Sequence, residues 1–98
     1  MPEQVPSIGR LVHYVLEDGP SKGQHRPALI VRVWGDPTNP ESYVNLQVFV
    51  DGTNDGPYAN GMAWRTSVQP DHSATPQPHT WHWPEYVPAP APPTANPT

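Results

Sequence analysis

The stretch "YVNLQVFV", residues 43–50, decides the fold. Side chains alternate sides along an extended chain, so Val44, Leu46, Val48 and Val50 share one face while Tyr43, Asn45, Gln47 and Phe49 share the other. The valine face is the one that meets a core. Turn formers bound this strand on both sides: "GDPTNPES" at 35–42 leads into it, and "DGTNDGPYANG" at 51–61 follows. The second segment is rich enough in turn residues to predict a hairpin loop longer than a two-residue turn.

Working outward, "GRLVHYVL" (9–16) reads as a strand that stops at the loop "EDGPSKG" (17–23). In "RPALIVRVW" (26–34) the run from Ala28 to Trp34 is apolar except for Arg32, which predicts a central strand buried on much of both faces. "MAWRTSV" (62–68) gives a fourth strand with Trp64, Thr66 and Val68 on one side. "QPDHSATPQP" (69–78) is a loop, and "HTWHW" (79–83) a short final strand. The 16 prolines leave no window suited to an amphipathic helix. Five short strands separated by Gly/Pro/Asn/Asp loops predict an all-β domain, a small antiparallel five-stranded barrel. The Src-homology-3 type is the first choice and the oligonucleotide/oligosaccharide-binding type the second. We divide the chain into an N-terminal extension (1–7), the barrel (8–85) and a proline-rich extended arm (86–98). In the arm "YVPAPAPPTANPT" the proline spacing favours polyproline II with little self-contact.

Composition removes several function classes. The formal charge is −4 and the five Lys and Arg residues are scattered, whereas phosphate affinity requires clustered basic residues, so no nucleic-acid partner is expected. Cysteine is absent, which removes disulfides and thiolate chemistry. "MPEQVPSIGR" at 1–10 lacks the basic start and apolar run of a signal peptide, and no stretch has the length of a membrane span; a soluble chain made inside a cell, with no membrane partner, is the expectation.

The polar motifs favour structural readings. "LEDG" (16–19) and "DGTNDG" (51–56) each hold two carboxylates, and Asp51, Asn54 and Asp55 partly resemble a calcium loop. The alternating acidic spacing and terminal glutamate of such a loop are missing, so a turn is preferred. Five histidines, His13, His25, His72, His79 and His82, are present. His79 and His82 are three apart, and in a strand that spacing points them to opposite faces, which spoils them as a metal pair; all five read as surface or hydrogen-bonded groups, with no metal or cofactor. Thr66 and Ser67 lack the surroundings of an activated nucleophile, and no strand leads into a glycine-rich phosphate loop. Nothing marks an enzyme.

Trp34, Trp64, Trp81 and Trp83, with Tyr14, Tyr43, Phe49, Tyr58 and Tyr86, are too many rings for a core that also takes the valine faces. Part of the set therefore forms an outer patch. Such rings serve protein interfaces. Beside Arg26, Arg32 or Arg65 they can instead hold a nucleotide-like ligand, with Trp64 or Trp81 stacking the base. A third use is packing, with Trp81 and Trp83 closing an open end of the barrel.

The set "IGRLVHYVL" (8–16), "HRPALIVRVWG" (25–35), "VNLQVFVDGTND" (44–55), "WRTSV" (64–68) and "TWHWPE" (80–85) resembles a family of short proteins of tailed bacteriophages and prophages. The resemblance implies a viral origin and a compact β domain, and carries over no catalytic residue. Within that setting we expect a virion protein, a capsid decoration or cementing protein, attached to a protein lattice or present as a homo-oligomer. Its contacts are Trp64, Trp81, Trp83 and Tyr86, with Pro88, Pro90, Pro92 and Pro93 along the arm. The alternative is an anti-defence protein that sequesters a nucleotide-like immune signal through Arg26, Arg32, Arg65, Trp64 and Trp81.

Overall fold

The computed structural model describes residues 4–90 of the chain. Pro92 and Pro93, and the outer ends of the two flanking segments, lie outside the described residues. Five strands form: β1 (Leu11–Val15), β2 (His25–Val33), β3 (Val44–Phe49), β4 (Met62–Pro70) and β5 (Thr80–His82). One 3₁₀ turn, Ala59–Gly61, ends the long β3–β4 loop. Among the described residues no helix is long and apolar enough to cross a membrane.

The strands close into a barrel in chain order, β1-β2-β3-β4-β5, consistent in type with the small barrels expected. The order is sequential around the barrel. One pairing departs from an all-antiparallel barrel. β4 and β5 run parallel, through Gln69↔Thr80 and Pro70↔Trp81. The loop 71–79 returns the chain to the end it has just left, so β5 starts beside the last residues of β4 and is antiparallel only to β1.

The core takes the inner face of every strand: Val12 and Tyr14, Ala28 and Ile30, Val44, Leu46 and Val48, Ala63 and Val68, and Trp81. The valine face of β3 thus lies inside as its alternation requires. β2 differs from the expectation of burial on both sides: Val31 and Arg32 are exposed, and Ala28 and Ile30 supply its buried face. A strand in a single closed layer has only one inside, and a register shift between Ile30 and Arg32, where β2 holds one extra residue against β3, leaves the adjacent Val31 and Arg32 both exposed.

β4 carries a bulge that corrects its predicted face. Val44 pairs with Val68 but Leu46 pairs with Arg65, so β4 holds one extra residue opposite Asn45. Ser67 takes a left-handed φ of 52°, and its backbone N–H donates to Asn45 Oδ1 at 2.8 Å. Trp34 Nε1–H donates to the same oxygen at 2.9 Å. The slip of one residue puts Trp64 outside while Val68 stays inside, where uninterrupted alternation had them together.

Trp81 is 0% exposed and is the largest fully buried side chain. Its Nε1–H donates to the Ser42 carbonyl at 3.2 Å, and the ring of Trp83 meets it edge-on at 5.3 Å. The packing reading of Trp81 therefore describes this fold. Its assignments as a partner contact or as a base-stacking ring are corrected, because a ring without surface can do neither.

Candidate functional site

The outer surface of β1–β4 carries one cross-strand row that is apolar except for Gln47. Leu11 pairs with Leu29, Leu29 with Gln47, and Gln47 with Trp64, all on the side opposite the core. The pair Phe49↔Met62 lies two residues along β3 and continues the patch. Trp64 is 50% exposed, and Leu11, Phe49 and Met62 are also exposed. Directly paired residues bring their Cβ atoms to about 5 Å, so the row is a continuous surface. Of the predicted contacts, Trp64 thus lies in the apolar patch. Tyr86, Pro88 and Pro90 are exposed in a segment without regular structure. Trp83 is half-buried against the core, under the Arg10 guanidinium at 4.7 Å from the ring centre.

The arginines of the alternative reading are engaged within the molecule. Arg26 forms two hydrogen bonds to Asp55, Nε to Oδ2 and Nη2 to Oδ1, both 2.7 Å. Asp55 is buried and also accepts the Asp51 N–H at 2.7 Å. The Arg26 hydrogen bonds outweigh burial and hold the Asp55 carboxyl well below the usual range. The turn reading of "DGTNDG" therefore describes Asp55, whose oxygens are used inside the fold.

Arg65 grips Glu17 in the same bidentate way, at 2.9 and 3.1 Å. The Tyr14 hydroxyl also donates to Glu17, and His79 Nδ1 lies 3.0 Å from its Oε2. Burial pushes Glu17 up, but the bonds from Arg65 and Tyr14 outweigh it and hold its pKa at about 2. Arg65 borders a hollow of about 510 Å³ between loops 18–20 and 55–58. Arg32 stacks on Trp34 at 4.0 Å and is separate from both carboxylate pairs. The structure thus brings none of the three arginines together with Trp81.

A third constellation was not foreseen. β5, β1 and β2 are neighbours, and each places one histidine on the outer surface. His82 pairs directly with His13, and His25 sits diagonally beyond it, because His13 pairs with Pro27. The three ring centres are 4.6 to 6.3 Å apart. Glu85, three residues past His82, folds back over them. Its Oε2 lies 2.9 Å from His13 Nδ1 and its Oε1 2.8 Å from His25 Nδ1, and His82 Nε2 meets Oε1 directly. One candidate ligand atom from each of the four residues falls within 4.8 Å of all the others.

His82 is buried, His13 and His25 are half-buried, and Glu85 is exposed. Burial lowers the His82 pKa and favours neutral imidazole. For Glu85, burial acts upward, but hydrogen bonds from its own backbone N–H, His82 and His13 outweigh it and hold the pKa at about 2. His82 Nδ1 has no hydrogen-bond partner. A cavity of about 400 Å³ opens beside the group, between His25, His82 and Glu85 on one side and the loop residues His72 to Pro76 on the other.

His79 and His82 part company, although not by strand alternation, since His79 precedes β5. His79, at a left-handed φ of 65°, turns to Tyr14 Oη at 2.7 Å and to Glu17, while His82 joins the triplet. Spacing along the chain reports only on such neighbouring pairs. The missing signal was cross-strand register, which sets His13 beside His82.

No family model, curated protein or solved structure matches this chain.

Proposed function

We propose that this chain is a non-enzymatic docking protein of a tailed phage, a capsid accessory that attaches to the protein lattice of the virion. The observation that carries this reading is the outer row Leu11–Leu29–Gln47–Trp64 with Phe49↔Met62 beside it. The inner face of the same strands already fills the core, so these side chains contribute nothing to it. A largely apolar outer row of this kind, exposed at Leu11, Phe49, Met62 and Trp64, supports an association face with a tryptophan as its strongest anchor. The arm supports the same reading: Tyr86 is 87% exposed, and Pro88 and Pro90 keep the segment extended, which lowers the entropy lost when it lies along another surface. The paired state of Arg26 and Arg65 weighs against a site for an anionic signal.

Quantitative mass spectrometry of purified particles of the phage that carries the gene tests this. A fixed simple ratio to the major capsid protein supports it. Absence from particles despite abundant expression in infected cells overturns it. The Leu29→Ser/Trp64→Ser variant, folded but lost from particles, assigns attachment to the outer row.

A further inference from the structure

We propose that His13, His25, His82 and Glu85 form a binding site for a divalent transition-metal cation, Zn²⁺ being the ion that fits the donors best. Three imidazole nitrogens and one carboxylate oxygen make a complete four-ligand set for that ion. Bonds of about 2.0–2.1 Å to a tetrahedral centre place ligand atoms about 3.3 Å apart. The nitrogen-to-oxygen separations here are 2.8 and 2.9 Å, and the whole group spans no more than 4.8 Å, so small side-chain rotations suffice. The contacts to Glu85 also identify the donor atoms: Nδ1 of His13, Nδ1 of His25 and Nε2 of His82.

The scaffold favours binding. The three rings stand on three adjacent strands, two of them in direct register, so the backbone fixes their separation before any ion arrives. Imidazole-rich sites select zinc, copper, nickel and cobalt, while magnesium and calcium prefer oxygen-only sets. Among the described residues Glu85 is faced by three imidazoles and by no arginine or lysine, so the same donor atoms can exchange their hydrogen bonds for bonds to a cation, and a bound dication supplies a fixed positive charge. The adjoining cavity gives an ion its path of entry.

The site also has a mechanical role. Glu85 lies beyond the last strand, so a cation held by all four residues ties the start of the arm to β1 and β2. It acts as a clamp that sets where the arm leaves the barrel. The proposal stands independently of docking: either can fail without the other.

The test uses the full chain, stripped with chelator and titrated with Zn²⁺ by calorimetry, alongside melting curves and a Mg²⁺ control. The expected result is one Zn²⁺ per chain, a melting temperature that rises with Zn²⁺, and no response to Mg²⁺. His25→Ala and Glu85→Gln should each weaken Zn²⁺ binding by at least the roughly 10–100-fold that losing an outer partner of a ligand costs, while His79→Ala leaves it unchanged. Zn²⁺ binding equally weakened by all three substitutions, or absent from the wild-type chain, overturns the proposal. Co²⁺ offers a readout without variants. Intense visible bands of a four-coordinate ion support the site, and the weak spectrum of hydrated Co²⁺ overturns it.

Discussion

Glu17 and Glu85 are surrounded by similar numbers of partners yet sit in opposite kinds of site. Glu17 faces a guanidinium fork, a phenol hydroxyl and one imidazole. Charge and hydrogen bonds balance there, and Asp55 with Arg26 repeats the pattern. Glu85 faces three imidazoles, none of which carries a fixed charge. The first arrangement is complete within the molecule and contributes to stability. The second is held by imidazoles alone, and His82 Nδ1 within it has no hydrogen-bond partner. Polar clusters of similar size thus differ in whether a guanidinium or only imidazoles balance the carboxylate.

The sharpest break of this comparison is Asp55→Ala. It strands the Arg26 guanidinium against a buried gap and should cost about 3–5 kcal/mol, read as a lower urea midpoint at unchanged slope. Next comes Glu17→Gln. The folded pKa of Glu17 is about 2, below the unfolded value of 4.5, so its contribution is complete above pH 4.5 and is lost as pH falls toward 2. The wild type should lose on the order of 2–3 kcal/mol across that window. The variant should be less stable at neutral pH by a similar amount and show a flatter acid profile. Equal profiles would remove Glu17 from the structural class.

Glu85→Gln should behave differently. Its side chain is 43% exposed, so with chelator present the change costs under about 1 kcal/mol. With Zn²⁺ added the gap between wild type and variant should widen; a constant gap would place Glu85 with Glu17. The smallest stability effect belongs to Trp64→Ser, within about 0.5 kcal/mol because the ring packs outside the core. Retention in purified particles should nonetheless fall.

The sequence makes the barrel legible wherever a single strand carries the information. Alternation from Val44 to Val50 identifies the inner face, and loop composition separates the strands. Information shared between strands is less visible. The β4 bulge depends on Asn45, on the opposite strand, accepting the Ser67 N–H, and strand composition alone does not announce it. The parallel closure depends on how loop 71–79 folds. The histidine site joins residues as far as 72 positions apart, His13 and Glu85. One clue was nonetheless present: alternation through "TWHW" puts His82 on the face opposite Trp81, so a buried Trp81 already implies an outward His82.

The two-pair junction of β4 with β5 bears on synthesis. β1 to β4 can pair in order as the chain emerges from the ribosome, but the sheet they form keeps its valine face open until residues 80–82 arrive with Trp81. Closure is therefore a late event that depends on one three-residue strand, and the nascent chain carries an exposed sticky face until then, a window in which a chaperone has something to hold.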